Sequence, residues 1–296
     1  MKTYICFLTA AIMLTAASCR KDLAFSEPDF EVSVAQDQYQ VGDTVEFIFK
    51  GNPDYLTFFS GESGNNYANR ERTSVTGTPK ISFTSFAQYG TQQNSLSLLV
   101  STDFNGKVDA DIAQATWTDI TAQAKLSTGA DNTPSGEIDL SPFADGDRTV
   151  YVAFRYIGTQ SATSAQKTWT IKNFQLYTET AGGEKVYSVN AIPAAGFTAV
   201  SIKNDEKKWT QNATQLQMAG GGANTPDNED WIVAALIPNR VSPDWGVGIK
   251  DVTGTLNTYR YVLQQPGDRE VVFVASNANV TGAKSVVRKI NIRVSQ

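Results

Sequence analysis

The stretch of residues 149–177 constrains the fold of this chain more than any other. Its first half places apolar side chains at every second position, as in a half-buried strand: Val150, Val152, Phe154 and Tyr156. After a polar loop the alternation resumes at Trp169 and Ile171, then slips by one position. One extra residue near Lys172-Asn173 explains the slip as a β-bulge. The stretch therefore predicts a long antiparallel hairpin at the middle of an all-β domain.

The same period of two recurs in short segments along the rest of the chain. Charged residues make up only 19% of the sequence, and no long segment has the periodicity of an amphipathic helix. Polar turns separate the alternating segments, which predicts many short strands and an all-β fold. The clearest segments are residues 30–34, 45–49, 56–58, 81–83, 96–100, 259–263, 271–275 and 290–294.

The predicted strands fall into three groups. Residues 29–77 contain three, too few to close a core. Residues 78–230 contain a longer series, which predicts a jelly-roll sandwich. We predict that residues 29–77 and 231–296 are the two halves of one sandwich split by the inserted jelly roll, since domain termini often lie close together. The alternative, two consecutive incomplete domains, would leave edges and apolar faces uncovered.

The N-terminal residues predict a secretory signal. The basic residue Lys2 precedes a short apolar run and then small residues that lead directly into Cys19. The run is too short to span a bilayer, and the pattern resembles a bacterial lipoprotein signal. We therefore predict that residues 1–18 are removed and that Cys19 is lipidated at the start of a polar tether, residues 19–28. Ordinary cleavage would leave an unpaired thiol on a secreted protein.

The composition excludes several classes of chemistry. The chain has no histidine, which removes Ser-His-Asp and Cys-His catalysis and imidazole zinc sites. The formal net charge is −5 and becomes more negative when Lys2 is lost with the signal. This acidity argues against nucleic acid or an anionic membrane surface as partner. Contact with a membrane is expected only through the lipid anchor, and no cofactor is expected.

Two resemblances refine this prediction. The pattern Tyr259-x-Tyr261, Pro266-Gly267, Val271-x-Phe273 and Asn277 resembles the second half of a PKD-type immunoglobulin-like domain. The segments 51–62, 101–106, 150–156 and 259–277 resemble Bacteroidetes outer-membrane lipoproteins that share a domain of unknown function.

The family resemblance implies a location and a role. Such lipoproteins occur with glycan-import systems of the SusC and SusD kind. The resemblance therefore implies a non-catalytic protein, anchored in the outer membrane and facing the cell exterior. It would capture a polysaccharide or oligosaccharide for a SusC/SusD-like transporter. The jelly roll would resemble a carbohydrate-binding module.

Exposed aromatic residues are the candidates for glycan contact, because aromatic rings stack on the C–H faces of sugars while polar groups meet the hydroxyls. Trp245 lies in a Ser-Pro-Asp-Trp-Gly turn, where core packing is not expected, and Trp209 lies among polar residues. Trp169 and Trp231 lie among alternating apolar residues, so we predict that both are buried. The remaining candidates for glycan contact are Trp117, Tyr89 and Tyr67.

Two other functions stay open. The first is a glycoside hydrolase, since two carboxylates suffice for that reaction. The second is a structural or adhesive surface protein that binds other proteins. The acidic clusters lie near predicted turns, where solvated acids are the simpler interpretation, so no catalytic residue is predicted. These clusters are Asp109/Asp111, Glu137/Asp139, Asp145/Asp147 and Asp227/Glu229/Asp230.

Calcium is the one metal to weigh, because jelly rolls that resemble carbohydrate-binding modules often carry a structural calcium ion. The turn Asp145-Gly146-Asp147 offers oxygen ligands of the kind calcium prefers. Its spacing matches no calcium-binding loop, and we therefore predict no metal site.

Overall fold

A computed structural model describes residues 26–109 and 111–296. Strands make up 47% and helices 6% of the structure, which confirms the predicted all-β class. The chain divides into two compact units. The split unit combines residues 26–71 with Pro243–Gln296, and the inserted unit is Arg72–Ser242. The predicted lipidation site, Cys19, lies outside the described residues. In the described part of the chain, no helix is long and apolar enough to cross a membrane.

The strands are named in chain order. The first part of the split unit contains β1 (Glu31–Ser33), β2 (Gln38–Gln40), β3 (Thr44–Lys50) and β4 (Tyr55–Phe59). The inserted unit contains β5 (Thr78–Gln88), β6 (Leu96–Ser101), β7 (Thr118–Asp119), β8 (Thr133–Pro134), β9 (Ile138–Asp139), β10 (Val150–Gly158), β11 (Thr168–Glu179), β12 (Lys185–Val189), a short helix α1 (Ile192–Ala195), β13 (Thr198–Lys203), β14 (Trp209–Gln211), β15 (Gln215–Met218) and β16 (Asn228–Leu236). The second part of the split unit contains β17 (Val247–Lys250), β18 (Thr258–Val262), β19 (Gly267–Asn279) and β20 (Gly282–Ser295).

The split unit has two sheets around one core. A three-stranded sheet has the order β1-β3-β18, and a five-stranded sheet has the order β17-β4-β19-β20-β2. Only β2, which lies beside β20, runs parallel to its neighbour in this unit. The apolar positions of β3 and β19 point into the core, as their alternation predicts. The ring of Phe273 is fully buried, with its centroid 5.0 to 6.5 Å from those of four other rings: Phe30, Phe47, Phe49 and Phe58.

Replacing Phe273 with Ala is therefore expected to destabilise the protein by about 3–5 kcal/mol, since neighbouring rings cannot refill the cavity. Urea denaturation measures the loss. The matched control is Val280→Ala, whose side chain is 92% exposed at the turn between β19 and β20. It should change the free energy of unfolding by less than about 0.5 kcal/mol. Equal stability of the Phe273 variant and the control would contradict this placement.

The inserted unit is also built from two sheets. One has the order β13-β16-β10-β6-β7. The other has the order β14-β15-β11-β5-β8, with β12 also paired to β11 and β9 to β5. Their apolar faces enclose a core that draws on most strands of the unit. The strands β10 and β11 lie near the middle of the two sheets and carry much of this core, including Phe154 and Phe174.

The predicted hairpin of residues 149–177 is wrong. β10 pairs with β6 and β16, whereas β11 pairs with β5, β12 and β15, so the two strands lie in different sheets. The loop between them crosses from one sheet to the other, and the Tyr156 hydroxyl donates a hydrogen bond to the Lys167 carbonyl across it at 2.8 Å. Alternation identifies the buried face of a strand but not its neighbour. The predicted bulge is confirmed, since the register of β11 shifts after Lys172, and Asn173 has a φ of +53°.

The boundaries of the inserted unit also differ from the predicted 78–230. β16 pairs with β10 at every position from Asn228 to Leu236. Because this ladder is continuous, residues 231–242 belong to the inserted unit and not to the split one. The apolar residues around Trp231 correctly predict that this residue is buried, but a local pattern carries no information about which sheet receives the segment.

Candidate functional site

Trp245 is the most exposed tryptophan, with 74% of its surface accessible. Its backbone is held on both sides, because its N–H donates to the Gly64 carbonyl at 3.3 Å and its carbonyl accepts from the Asn65 side chain. The preceding Asp244 carboxylate accepts from the Asn66 N–H at 3.0 Å. These bonds join residues 60–70 to residues 243–246, and we call the two segments the loop pair. It presents an indole ring to solvent on a fixed backbone.

Gly246 fixes the chain directly after this tryptophan. A Cβ atom added there would lie 2.6 Å from the Phe59 ring, closer than real Cβ contacts come. Phe59 is itself buried at the end of β4. The close approach explains why glycine follows Trp245, and it ties the loop pair to the five-stranded sheet of the split unit.

Tyr67 lies in the same loop pair, so the structure brings two of the predicted residues into one place. Its ring meets Phe59 edge-on, with centroids 5.2 Å apart. The Arg70 guanidinium lies 4.1 Å from the ring centroid, and Arg70 also donates to the Tyr67 carbonyl at 3.1 Å. One face of the tyrosine ring is therefore covered. Tyr67 mainly stabilises the loop pair and leaves little free surface for stacking on a sugar.

Tyr89 is the second strongly exposed candidate, with 70% of its surface accessible. It follows the end of β5 in the inserted unit and has a φ of +57°. Beside it is a cleft of about 450 Å³, lined also by Gln88, Gln166 and Gln217. The exposed ring therefore stands next to side chains that both donate and accept hydrogen bonds.

The prediction that Trp209 is exposed is wrong. It is 4% exposed, and its ring centroid lies 6.4 Å from that of Phe154 in the core of the inserted unit. Its indole N–H donates to the Asp230 carbonyl at 3.4 Å. Trp209 begins β14, so its polar neighbour Thr210 points to the opposite face. Polar sequence neighbours on a strand thus give no indication of exposure.

Trp117 is half-buried, and it covers the outer face of the sheet that contains β10. Its ring centroid lies 5.4 Å from that of Phe104 and 5.3 Å from that of Trp231, and its N–H donates to the Ile112 carbonyl at 2.8 Å. This packing makes it part of a small satellite core. The predicted burial of Trp169 and Trp231 is confirmed, at 5% and 2% exposed.

Two of the acidic candidates form ion pairs with lysine side chains. Glu137 accepts from Lys185 at 2.5 Å and from Lys80 at 2.8 Å, and these ammonium groups lower its pKa to about 2. Asp109 binds Lys107 at 2.6 Å, which lowers the pKa of that carboxyl. Such carboxyls remain ionised and are unsuited to donate a proton. Among the described residues, no group of three His, Cys, Asp or Glu could hold a metal ion.

Glu229 and Asp230 are adjacent on β16 and therefore point to opposite faces of the sheet. Glu229 binds Arg155 at 2.8 Å on the outer face. Asp230 is fully buried opposite Tyr156, and neither of its carboxylate oxygens has a hydrogen-bond partner within the described residues. Burial is the main cause that raises its pKa to about 7. The two carboxylates cannot meet across one glycosidic bond.

The raised pKa of Asp230 predicts a pH-dependent stability. Between about pH 4 and pH 7 the folded state keeps a proton that the unfolded state releases, so the free energy of unfolding falls as the pH rises. The free energy of unfolding of Asp230→Asn minus that of wild type should therefore increase by roughly 2–4 kcal/mol from pH 4.5 to pH 8. Urea midpoints across this range measure the effect. A difference between wild type and Asp230→Asn that is constant with pH would contradict the assignment.

The exposure of Trp245 predicts a fluorescence change. The chain has five tryptophans, and the other four are buried or half-buried. Trp245→Phe should therefore remove most of the fluorescence that iodide quenches, with an unchanged melting temperature. Trp169→Phe, the buried control, should leave the quenchable fraction intact. Unchanged quenching in the Trp245 variant would show that the indole is not accessible.

The fold and these sites define an all-β protein of two units, each with one strongly exposed aromatic ring beside ordered loops. The chain matches a family described as Domain of unknown function (DUF5017) over residues 18–197, more than half of its length, and it belongs to that family. No curated protein and no solved structure matches it. The matched region includes Tyr67 and Tyr89, whereas Trp245 lies beyond it.

Proposed function

We propose that this protein is a non-catalytic glycan-binding lipoprotein. The observation that carries the proposal is Trp245, whose indole is 74% exposed while its backbone is bonded on both sides. A fixed, solvent-facing indole loses little conformational entropy on binding, and its flat apolar face suits the C–H face of a sugar ring. An indole so placed does not contribute to a core, so its position favours a role in binding.

The cellular setting of the proposal rests on the sequence. The signal that ends at Cys19 supports a lipid anchor, and the resemblance to Bacteroidetes lipoproteins supports an outer-membrane location facing the cell exterior. In this proposal the split, PKD-like unit follows the anchor in the chain and itself carries the binding residue Trp245. The partner is a SusC/SusD-like transporter that imports the captured polysaccharide.

The hydrolase alternative has less support from the carboxylate geometry. Glu229 and Asp230 lie on opposite faces of one strand, and Glu137 is held by two lysines. The adhesive alternative differs only in the partner, since an exposed indole also suits a protein interface. Affinity electrophoresis, protein capture and reducing-sugar release together distinguish the three functions.

Affinity electrophoresis of the soluble form that begins after Cys19 tests the proposal. Native gels would contain neutral, acidic or host-derived polysaccharides. At least one should retard the wild type, and Trp245→Ala should weaken that binding at least tenfold, since removing an aromatic side chain from the centre of a binding site typically costs about 2 kcal/mol or more and about 1.4 kcal/mol is tenfold. Tyr55→Ala, an exposed aromatic of the same unit, is the matched control and should bind as wild type.

Each other outcome contradicts the proposal in its own way. No retardation by any polysaccharide would remove its basis, and a protein captured by the wild type but not by Trp245→Ala would then favour the adhesive function. Reducing-sugar release that persists through purification, and is lost when an acidic pair is replaced, would establish the hydrolase.

A further inference from the structure

We propose that the inserted unit carries a second carbohydrate site, selective for uncharged sugars, in the cleft beside Tyr89. The ligand class rests on the proposed function, whereas the site itself is separate from Trp245 and belongs to the other unit. The cleft has a volume of about 450 Å³, within the range of small-molecule sites.

The backbone at the mouth of the cleft is held in an unfavourable conformation. Tyr89 has a φ of +57°, a left-handed value that is unfavourable for a residue other than glycine. Gly90 continues the left-handed turn at φ +58°, and a Cβ atom there would overlap the Ala165 carbonyl. Burial of the tyrosine ring does not compensate for this strain, because the ring is exposed to solvent. Such strain typically persists where the placement of the side chain matters.

The floor of the cleft is formed in advance. Gln166 is 2% exposed, its side-chain amide donates to the Pro226 carbonyl at 2.9 Å, and its backbone N–H donates to the Gly221 carbonyl at 2.8 Å. The Gly220 N–H donates to the Thr168 hydroxyl at 3.0 Å. A Cβ atom at Gly220 would overlap the Gln166 carbonyl, so only glycine allows this approach. A ligand therefore meets an ordered wall of peptide groups.

The lining indicates which ligands fit. No described residue that lines the cleft carries a charge. Gln88 and Gln217 supply amides that both donate and accept, which matches the hydroxyl groups of a sugar. An anionic ligand would lose hydration without a cation in the lining to replace it. By contrast, a larger cleft in the split unit is lined by acidic and basic side chains that include Asp268, Glu270 and Arg293.

Isothermal titration of the full mature chain tests the site. The probes are neutral oligosaccharides of glucan, mannan, galactan and xylan, with uronic-acid oligosaccharides for comparison. In the Trp245→Ala background, Tyr89→Ala should weaken the residual binding of a neutral probe at least tenfold. Tyr187→Ala, a partly exposed tyrosine of the same unit outside the cleft, is the matched control and should have no effect.

A second variant blocks the cleft instead of removing the ring. A Cβ atom at Gly222 would meet no other atom within 4 Å, so Gly222→Leu should add bulk to the cleft without disturbing the fold. It should also weaken binding at least tenfold, with an unchanged melting temperature.

The outcomes separate the two sites. Binding that is lost in Trp245→Ala and unaffected by Tyr89→Ala and Gly222→Leu would overturn the second site and leave the proposed function intact. Binding lost only in the Tyr89 and Gly222 variants would support the cleft and remove Trp245 from the function. Preference for uronic acids would overturn the assignment to uncharged sugars, and no binding by the wild type would overturn both proposals.

Discussion

The packing of aromatic rings across two sheets at Phe154 is the contact on which the inserted unit depends. The Phe154 ring on β10 lies 5.1 Å from Phe83 on β5 and 6.4 Å from Phe174 on β11, centroid to centroid. Because these partners belong to the opposite sheet, β10 must face β11 and cannot pair beside it. The loop between them must then cross the end of the sandwich, and this crossing loop supplies Ala165 and Gln166 to the cleft. The cleft is therefore a consequence of how the core is packed.

Hydrophobic alternation predicted the buried faces of strands and failed on their neighbours. It placed β3, β10, β19 and β20 correctly, and the slip at Lys172-Asn173 predicted the bulge in β11. It gave a false hairpin and a false boundary near Trp231, because a period of two specifies only which side of a strand is buried. The partner of a strand depends on contacts between distant residues. β16 follows β10 by some seventy positions and still pairs with all of it.

Local sequence likewise predicted the exposure of some aromatic candidates correctly and of others wrongly. Turn chemistry predicted an exposed Trp245, since the local Pro and Gly exclude a regular strand there. Local polarity misplaced Trp209, because Lys207 and Lys208 precede the very short strand β14, whereas Thr210 within it points away from the buried face. The glutamines of the cleft had no local signal. Gln88 and Gln217 come together only through the pairing of β11 with β5 and β15, with Thr168 directly opposite Gln88.

The two proposed sites on one chain are a reason to expect a polymeric ligand. One aromatic ring with a few amides gives a weak site, because each sugar hydroxyl that it binds must first be released from water. A long polysaccharide that engages a site on each unit makes the second contact intramolecular, and the overall affinity can then exceed either single affinity by a factor of about 10² to 10⁴. A short oligosaccharide gains none of this increase. Under the two proposals, Trp245 and the Tyr89 cleft together would hold long glycans more tightly than short ones.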